Sequence, residues 1–326
     1  MKKRILLVMV LCALLFSMVG CGGTPTPAGD EVKVGVAIYT FDDNFMTLYR
    51  EEIANYFGEL SASTGVNYNV NIVDSKNDQA TQTGQVESFI NDEYDVLIIN
   101  LVQSSAAAQV IEKADAAGIP LVLINREPTA EDMELSDKVT YVGADARQSG
   151  TYQGEIILET ANGGDINGDG KVSYIMLIGD PENIDAQHRT NFSVQALTDA
   201  GVTVNELFAQ RGDWKQEMGQ QLTETALTQF GNEVEVVFAN NDAMALGAVQ
   251  AIEAAGRVVG EDIYLVGVDA LAEAVDLVNE GRMTGTVLND HIGQSHAAVD
   301  AAIKFLNGEE VAKFITVDYV KVVPKQ

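Results

Sequence analysis

Residues 165–173 read DINGDGKVS, a run of oxygen-bearing side chains at alternate positions. Asp165, Asn167 and Asp169 occupy the first, third and fifth places of an EF-hand calcium loop, and Gly170 falls at its sharp turn. The final ligand of such a loop is a bidentate Glu, and Met176 stands there instead. The competing reading is an Asx-rich surface turn without a metal, since no second helix is expected after the loop. A phosphate loop is excluded, because Val172 stands where a Ser or Thr is required.

A second set of chemically able residues is scattered along the chain, each just after an apolar run. Asp43 and Phe45 follow the first; Asn125 and Arg126 follow a later one; Asn183, Asp185 and Arg189 come after 173–179; then Asn241, Asp269 and Asn289. These are short planar polar side chains with few cations and one aromatic, Phe45. The single tryptophan, Trp214, sits in GDWKQE at an expected helix start. Amides, carboxylates and guanidinium groups offer donors and acceptors in fixed planes, which suits a small polar ligand stripped of its water. Asp and Asn are also favoured N-caps, and that reading competes at every one of these junctions.

The elements that would hold these residues follow from hydrophobic periodicity. Apolar runs at 33–39, 70–75, 96–100, 120–125, 173–179, 234–240, 264–269 and 285–290 read as strands buried on both faces. Segments with helical spacing lie between them, near 44–62, 79–91, 103–117, 146–162, 186–200, 214–230, 242–255, 271–280 and 291–307. The alternation predicts α/β architecture with two doubly wound parallel sheets, whose ligands sit beyond the carboxyl ends of the strands.

The first residues stand apart from this pattern. A basic start, MKKR, leads into an apolar run ending at Gly20, followed by Cys21. This reads as an export signal over 1–20, too short for a good membrane span. Cys21 after a small residue predicts a lipidated cysteine, with ordinary signal cleavage as the alternative. Residues 22–30, rich in Gly, Pro and Thr, read as a flexible tether. Removal of the signal leaves one cysteine, so no internal disulfide is expected, and it takes the formal charge from −28 to −31. So acidic a surface repels nucleic acid and anionic headgroups.

FDDNFM (41–46), NREP (125–128), FANNDAMALGAV (238–249), GVDALAEA (267–274) and GTVLND (285–290), together with DINGDGKVS, resemble the periplasmic galactose/glucose-binding proteins of the type I superfamily, the receptors of sugar ABC transporters. The resemblance spans about Val32 to Val323. It implies two Rossmann-like lobes joined by three hinge strands, with an N-terminal lobe of 31–143 plus 290–317 and a C-terminal lobe of 144–289 plus 318–326. It also implies that Phe45 and Trp214 sandwich a pyranose and that Asp43 binds the 4-hydroxyl. Asn125, Asp185, Arg189, Asn241, Asp269 and Asn289 match the other polar contacts, and Arg126 stands where the family has a lysine. Asn183 replaces a histidine, which puts hexose specificity in question.

The same resemblance supplies the missing carboxylate. It implies a structural calcium ion held by Asp165, Asn167, Asp169, the Lys171 carbonyl, Ser173 in place of a glutamine, and Glu235 from a distant strand. The expected protein is a monomeric, exported sugar receptor for D-glucose or D-galactose, partnered by an ABC permease, and it binds no nucleic acid. Another monosaccharide such as xylose or ribose, or a sensing role for a chemoreceptor or kinase, are the alternatives. Catalysis is not expected. No zinc signature, reactive thiol or dinucleotide fingerprint is present, and His188, His291 and His296 fall in no metal or triad spacing. A repressor of the same fold would need a DNA-binding N-terminus and a basic face, and the export signal and charge exclude it.

Overall fold

The computed structural model describes residues 31–324. The export segment, Cys21 and the tether lie outside the described residues. In chain order the elements are β1 (Glu31–Ile38), α1 (Asn44–Thr64), β2 (Asn67–Asp74), α2 (Gln79–Asn91), β3 (Val96–Ile99), α3 (Ala107–Ala117), β4 (Leu121–Ile124), α4 (Ala130–Met133) and β5 (Val139–Gly143). There follow α5 (Ala146–Leu158), β6 (Val172–Ile178), α6 (Ile184–Asp199), β7 (Val204–Arg211), α7 (Gln216–Phe230), β8 (Val236–Ala239), α8 (Asp242–Ala254), β9 (Tyr264–Val266) and α9 (Ala272–Asn279). The chain closes with β10 (Thr286–Leu288), α10 (His291–Leu306), β11 (Phe314–Thr316) and β12 (Val320–Val322).

Two parallel sheets result. The first runs β2-β1-β3-β4-β5-β11 and the second β7-β6-β8-β9, while β10 and β12 form an antiparallel pair. Strand residues alternate between two apolar layers because the side-chain period of a strand is two. Val34, Val36 and Ile38 of β1 pack with Val122 and Ile124 against α1 and α10. Ala37, Leu97, Ile99 and Leu123 face the opposite layer, with α2 and α3. In the second sheet Ile175, Leu177 and Val237 join α7, α8 and α9, while Met176, Val236 and Phe238 join the layer containing Ile156 and Leu197 of α5 and α6. Each lobe is thus a sheet covered on both faces, as parallel sheets require.

The chain passes between the sheets three times: from β5 into α5, from β10 into α10, and from β11, parallel to β5, into β12, antiparallel to β10. α10 packs on α1 and on β3 to β5, so it belongs to the first lobe although it follows the second sheet in sequence.

Two features differ from the periodicity. The run at 70–75 is not buried on both faces. It lies in β2, an edge strand with alternating exposed and half-buried residues, because only β1 pairs with it. Strands β5, β7, β11 and β12 lie outside the apolar runs singled out by the sequence. β7 is half exposed at the other sheet edge, and β11 and β12 are only three residues long.

α7 and α8 pack closely enough to need glycine at their contact. A methyl on Gly247 would lie 2.0 Å from the Gln216 carbonyl oxygen, and one on Gly219 would lie 2.2 Å from the Met244 carbonyl. Gly247→Ala should therefore cost about 1–3 kcal/mol by forcing the helices apart, despite alanine's better helix propensity. Thermal unfolding checks this, and an unchanged or raised Tm would contradict it.

Candidate functional site

The strand ends of the two sheets face each other across a cleft, and helix starts surround it. Asp43 caps α1 by accepting from the Met46 N–H, Asn183 caps α6 through Asp185 N–H, and Asn241 caps α8 through Met244 N–H. The capping role and the ligand-facing role fall on the same residues. Asp43, Phe45, Asn125, Arg126, Asn183, Asp185, Arg189, Trp214, Asn241, Asp269 and Asn289 all line one cavity. Tyr39 and Met46, not singled out in the sequence, complete its wall. A larger space, about 1870 Å³ and open to solvent, adjoins it and shares Tyr39, Asp43, Arg126 and Trp214.

On the first lobe, Tyr39 organises the wall. Its hydroxyl donates to Asp43 Oδ2 at 2.7 Å, and the Arg126 guanidinium lies 3.9 Å from its ring centroid. Burial, reinforced by Asp43, holds the Tyr39 hydroxyl well above its ordinary pKa, so it stays a donor. Arg126 is buried and donates to the Val102 carbonyl. Beneath them the fully buried Asn100 accepts from Tyr39 N–H at 3.3 Å and donates to the Ile124 carbonyl at 3.2 Å.

The second lobe repeats the device with Asn240, which accepts from Gly179 N–H at 3.1 Å and receives Arg189 Nη1 on its carbonyl at 2.8 Å. Arg189 Nη2 donates to the Tyr319 hydroxyl at 3.1 Å, while its Nε has no protein partner. Asp185 Oδ1 and Trp214 Nε1 are likewise buried without a partner. Burial pushes the Asp185 carboxyl up to about 7 even though Arg189 opposes the rise. Burial does the same for Asp269, also to about 7, with Arg189 opposing and Asp43 adding to it.

The amides have a common orientation. Asn183 and Asn241 spend their oxygens on helix caps, Asn125 Oδ1 accepts from Asn100 Nδ2 at 3.2 Å, and Asn289 Oδ1 accepts from Gln294 Nε2 at 2.6 Å. Asn241 Nδ2 donates one N–H to the Trp214 carbonyl at 3.2 Å and Asn289 Nδ2 one to Asp269 Oδ1 at 3.3 Å. What the four asparagines keep for a ligand is their remaining N–H donors, and the acceptors in the cavity are carboxylates. Trp214 is set by backbone geometry: it adopts φ 65°, and a methyl on Gly179 would fall 2.3 Å from its ring. Phe45 meets Tyr49 and His291 edge-on. Asn125 and Asp269, at φ 63° and 121°, add two more left-handed residues to the cavity wall, a concentration of strain typical of functional sites.

The loop at 165–173 lies elsewhere on the second lobe. Asp165 accepts from the N–H groups of Gly168 and Gly170, at 2.8 and 3.0 Å, and Asn167 Oδ1 accepts from Asp169 N–H. Glu235, 1% exposed, reaches it from the end of the segment before β8, its two oxygens accepting from Asn167 N–H at 2.9 Å and Ser173 N–H at 2.8 Å. The Lys171 amine stands 3.6 Å from Asp169. Among the described residues no three His, Cys, Asp or Glu side chains converge as a ready metal cluster. The donor set is nevertheless all oxygen, and the buried Glu235 carboxylate bonds only to backbone N–H groups, which fits a hard cation in its chemistry.

Among the described residues no helix is long and apolar enough to cross a membrane. Residues 34–310 match the periplasmic binding protein domain family. The chain is 35% identical to the D-galactose/methyl-galactoside binding periplasmic protein of Haemophilus influenzae, over 93% of this chain and 90% of that one. It is 30% identical to the ribose import binding protein of Escherichia coli, over 82% and 84%. Among solved structures, an ABC transporter solute binding protein from Bacillus halodurans with bound myo-inositol superposes with a TM-score of 0.78 at 28% identity, covering 91% of this chain and 96% of that one. These relatives are binding proteins and not enzymes, and on this evidence the chain is a member of the periplasmic binding protein family, with its two-lobed α/β fold.

Proposed function

We propose that the protein captures one monosaccharide between its lobes, outside the cytoplasm, and delivers it to the permease of an ABC importer. The observation that carries this reading is the set of three buried, unpartnered atoms on residues that line the cavity, Asp185 Oδ1, Arg189 Nε and Trp214 Nε1. An unsatisfied buried polar group costs about 1–3 kcal/mol, and ligand hydroxyls, which both donate and accept, can partner the carboxylate oxygen and the N–H groups. Four amide donors beside the carboxylates of Asp43, Asp185 and Asp269 extend the same demand to a polyhydroxyl ligand. Phe45 and Trp214 offer apolar faces for the C–H side of a ring.

D-galactose and D-glucose are the leading candidates, from the relative that binds galactose and from the matched contacts. A pentose is the second reading. It is favoured by Asn183, whose oxygen is committed to its helix cap and which therefore offers a ligand N–H donors. Sugar contacting both lobes would shift the population to a closed form that the permease, or a chemoreceptor in a sensing role, recognises. Calcium at Asp165, Asn167, Asp169, the Lys171 carbonyl, Ser173 and Glu235 would pin the loop to the second sheet, away from the sugar. A lipid on Cys21 would tether the protein to the membrane.

Calorimetric titration with D-glucose, D-galactose, D-xylose and D-ribose is expected to give a Kd of about 1 µM or tighter for one hexose. Asp185→Asn should weaken it tenfold or more. Pentose preference would overturn the hexose assignment, and silence with all four would overturn the sugar reading. Hydroxyls donating to Asp185 and Asp269 favour their charged forms. Because these carboxyls are pushed up to about 7 without ligand, affinity should fall as pH drops from 7.5 to 5.5, by about 25-fold for each group that must ionise. A flat profile would count against direct carboxylate contact. For the loop, added calcium should raise the Tm of the wild type, and Glu235→Gln should abolish that rise while leaving sugar affinity within about twofold. A large affinity loss at normal Tm would contradict this division.

A further inference from the structure

Asp242 is fully buried at the first position of α8 and does not line the cavity. An acid at a helix start ordinarily serves its own helix, through the N–H groups of the first turn. Here both oxygens are spent elsewhere. Oδ1 accepts from the Thr286 hydroxyl at 2.7 Å, and Oδ2 accepts from Leu271 N–H at 2.9 Å. The Asp242 N–H donates to the Val268 carbonyl at 2.7 Å, so this one residue grips the chain on both sides of positions 269 and 270. Those two positions are left-handed, Asp269 at φ 121° and Ala270 at φ 53°.

Neither residue is glycine, and such backbone persists only where its surroundings over-determine it. The restraints converge from three directions. Thr286, itself bonded to Asp242, accepts from Ala270 N–H at 3.4 Å. Asp269 N–H donates to the Val287 carbonyl at 2.8 Å, which ties the turn to β10. The Asp242 carboxylate fits only because residue 267 is glycine, since a methyl there would lie 2.1 Å from Oδ1. By contrast the Asp269 side chain has one side-chain partner, Asn289 Nδ2 at 3.3 Å. Its direction is therefore set by the backbone beneath it.

We propose that Asp242, acting with Thr286, is a positioning residue that holds the left-handed turn at Asp269–Ala270 and so aims the Asp269 carboxylate into the ligand cavity. The device leaves a second buried acid close behind a ligand-facing one. The groups facing Asp269 are Arg189, Asp43, Asn289, the Asp242 N–H and the Asp242 carboxyl, which burial and the neighbouring Asp269 hold well above the ordinary Asp range.

Two measurements test this on the exported chain. The first is independent of the sugar assignment. Carboxyl carbon NMR of the sugar-free protein should place the Asp269 midpoint near 7. In Asp242→Ala the turn relaxes toward solvent, and the midpoint should fall toward about 4, the ordinary Asp range. Asp242→Asn, which can donate to Thr286 and still accept from Leu271 N–H, should keep the wild-type midpoint. The second measurement rests on the sugar reading. The Kd for D-galactose should rise at least tenfold in Asp242→Ala, about threefold in Thr286→Val, and less than threefold in Asp242→Asn. A merely structural role would lower Tm without moving the Asp269 midpoint, and that result would overturn the proposal. Thr286→Val keeps the test available should Asp242→Ala not fold, because its Asp269 midpoint should also move downward and an unmoved midpoint there would equally overturn it. Failure of wild-type galactose binding with the midpoint shift intact would sink the sugar assignment and leave the positioning role standing.

Discussion

The structure turns on the burial of a carboxylate and a guanidinium whose hydrogen-bonding capacity is not spent within the protein. Asp185 and Arg189 leave the same helix, α6, into a cavity walled by both lobes, and each retains an unpartnered atom. Within one lobe, such an arrangement would be a defect costing a few kcal/mol. Between two lobes it becomes a demand for a ligand, because a molecule carrying both donors and acceptors can relieve both atoms. The rise of Asp185 and Asp269 to about 7 is the electrostatic side of that demand. The strain at Asn125, Trp214 and Asp269 is its conformational side.

Each lobe meets the demand with the same construction. A buried asparagine after a central strand, Asn100 in one sheet and Asn240 in the other, accepts from the backbone N–H just beyond the neighbouring strand, at Tyr39 and Gly179. Helix starts then point inward, and the cap residues keep one hydrogen-bonding edge for the cavity. Capping fixes the direction of the amide, because an oxygen bonded to a backbone N–H leaves the N–H₂ group facing outward. The fold thereby decides what the site can accept before a ligand arrives. Glycine contributes where nothing else fits: Gly179 under Trp214, and Gly267 beside Asp242.

Much of this was legible in the sequence. The continuous apolar runs marked most central strands, since a strand buried on both faces cannot alternate. The polar residues after those runs marked the cavity, since parallel sheets place their ligand-facing loops at the carboxyl ends of strands. What stayed hidden has physical reasons. β7 is an edge strand, where one face meets solvent and the pattern weakens; for the other edge strand, β2, the apolar run marked the strand but not its one-sided burial. β11 and β12 are too short to carry a period. Tyr39 read as the end of a buried strand, and only its 2.7 Å bond to Asp43 and the Arg126 stack reveal its role. Glu235 lies 70 residues from the start of the loop it closes, so resemblance reached it and spacing did not. Asp242 is an acid at a helix start, where capping is the ordinary role, and only its bonds to Thr286 and Leu271 distinguish it.

The most direct test of the central claim is a crystal structure of the protein grown with D-galactose. The account predicts one sugar contacting both lobes, with hydroxyl oxygens within hydrogen-bond distance of Asp185 Oδ1 and Arg189 Nε and with Trp214 and Phe45 against its ring. Sugar held by one lobe alone, or a bound sugar that leaves those two atoms without a partner, would contradict it.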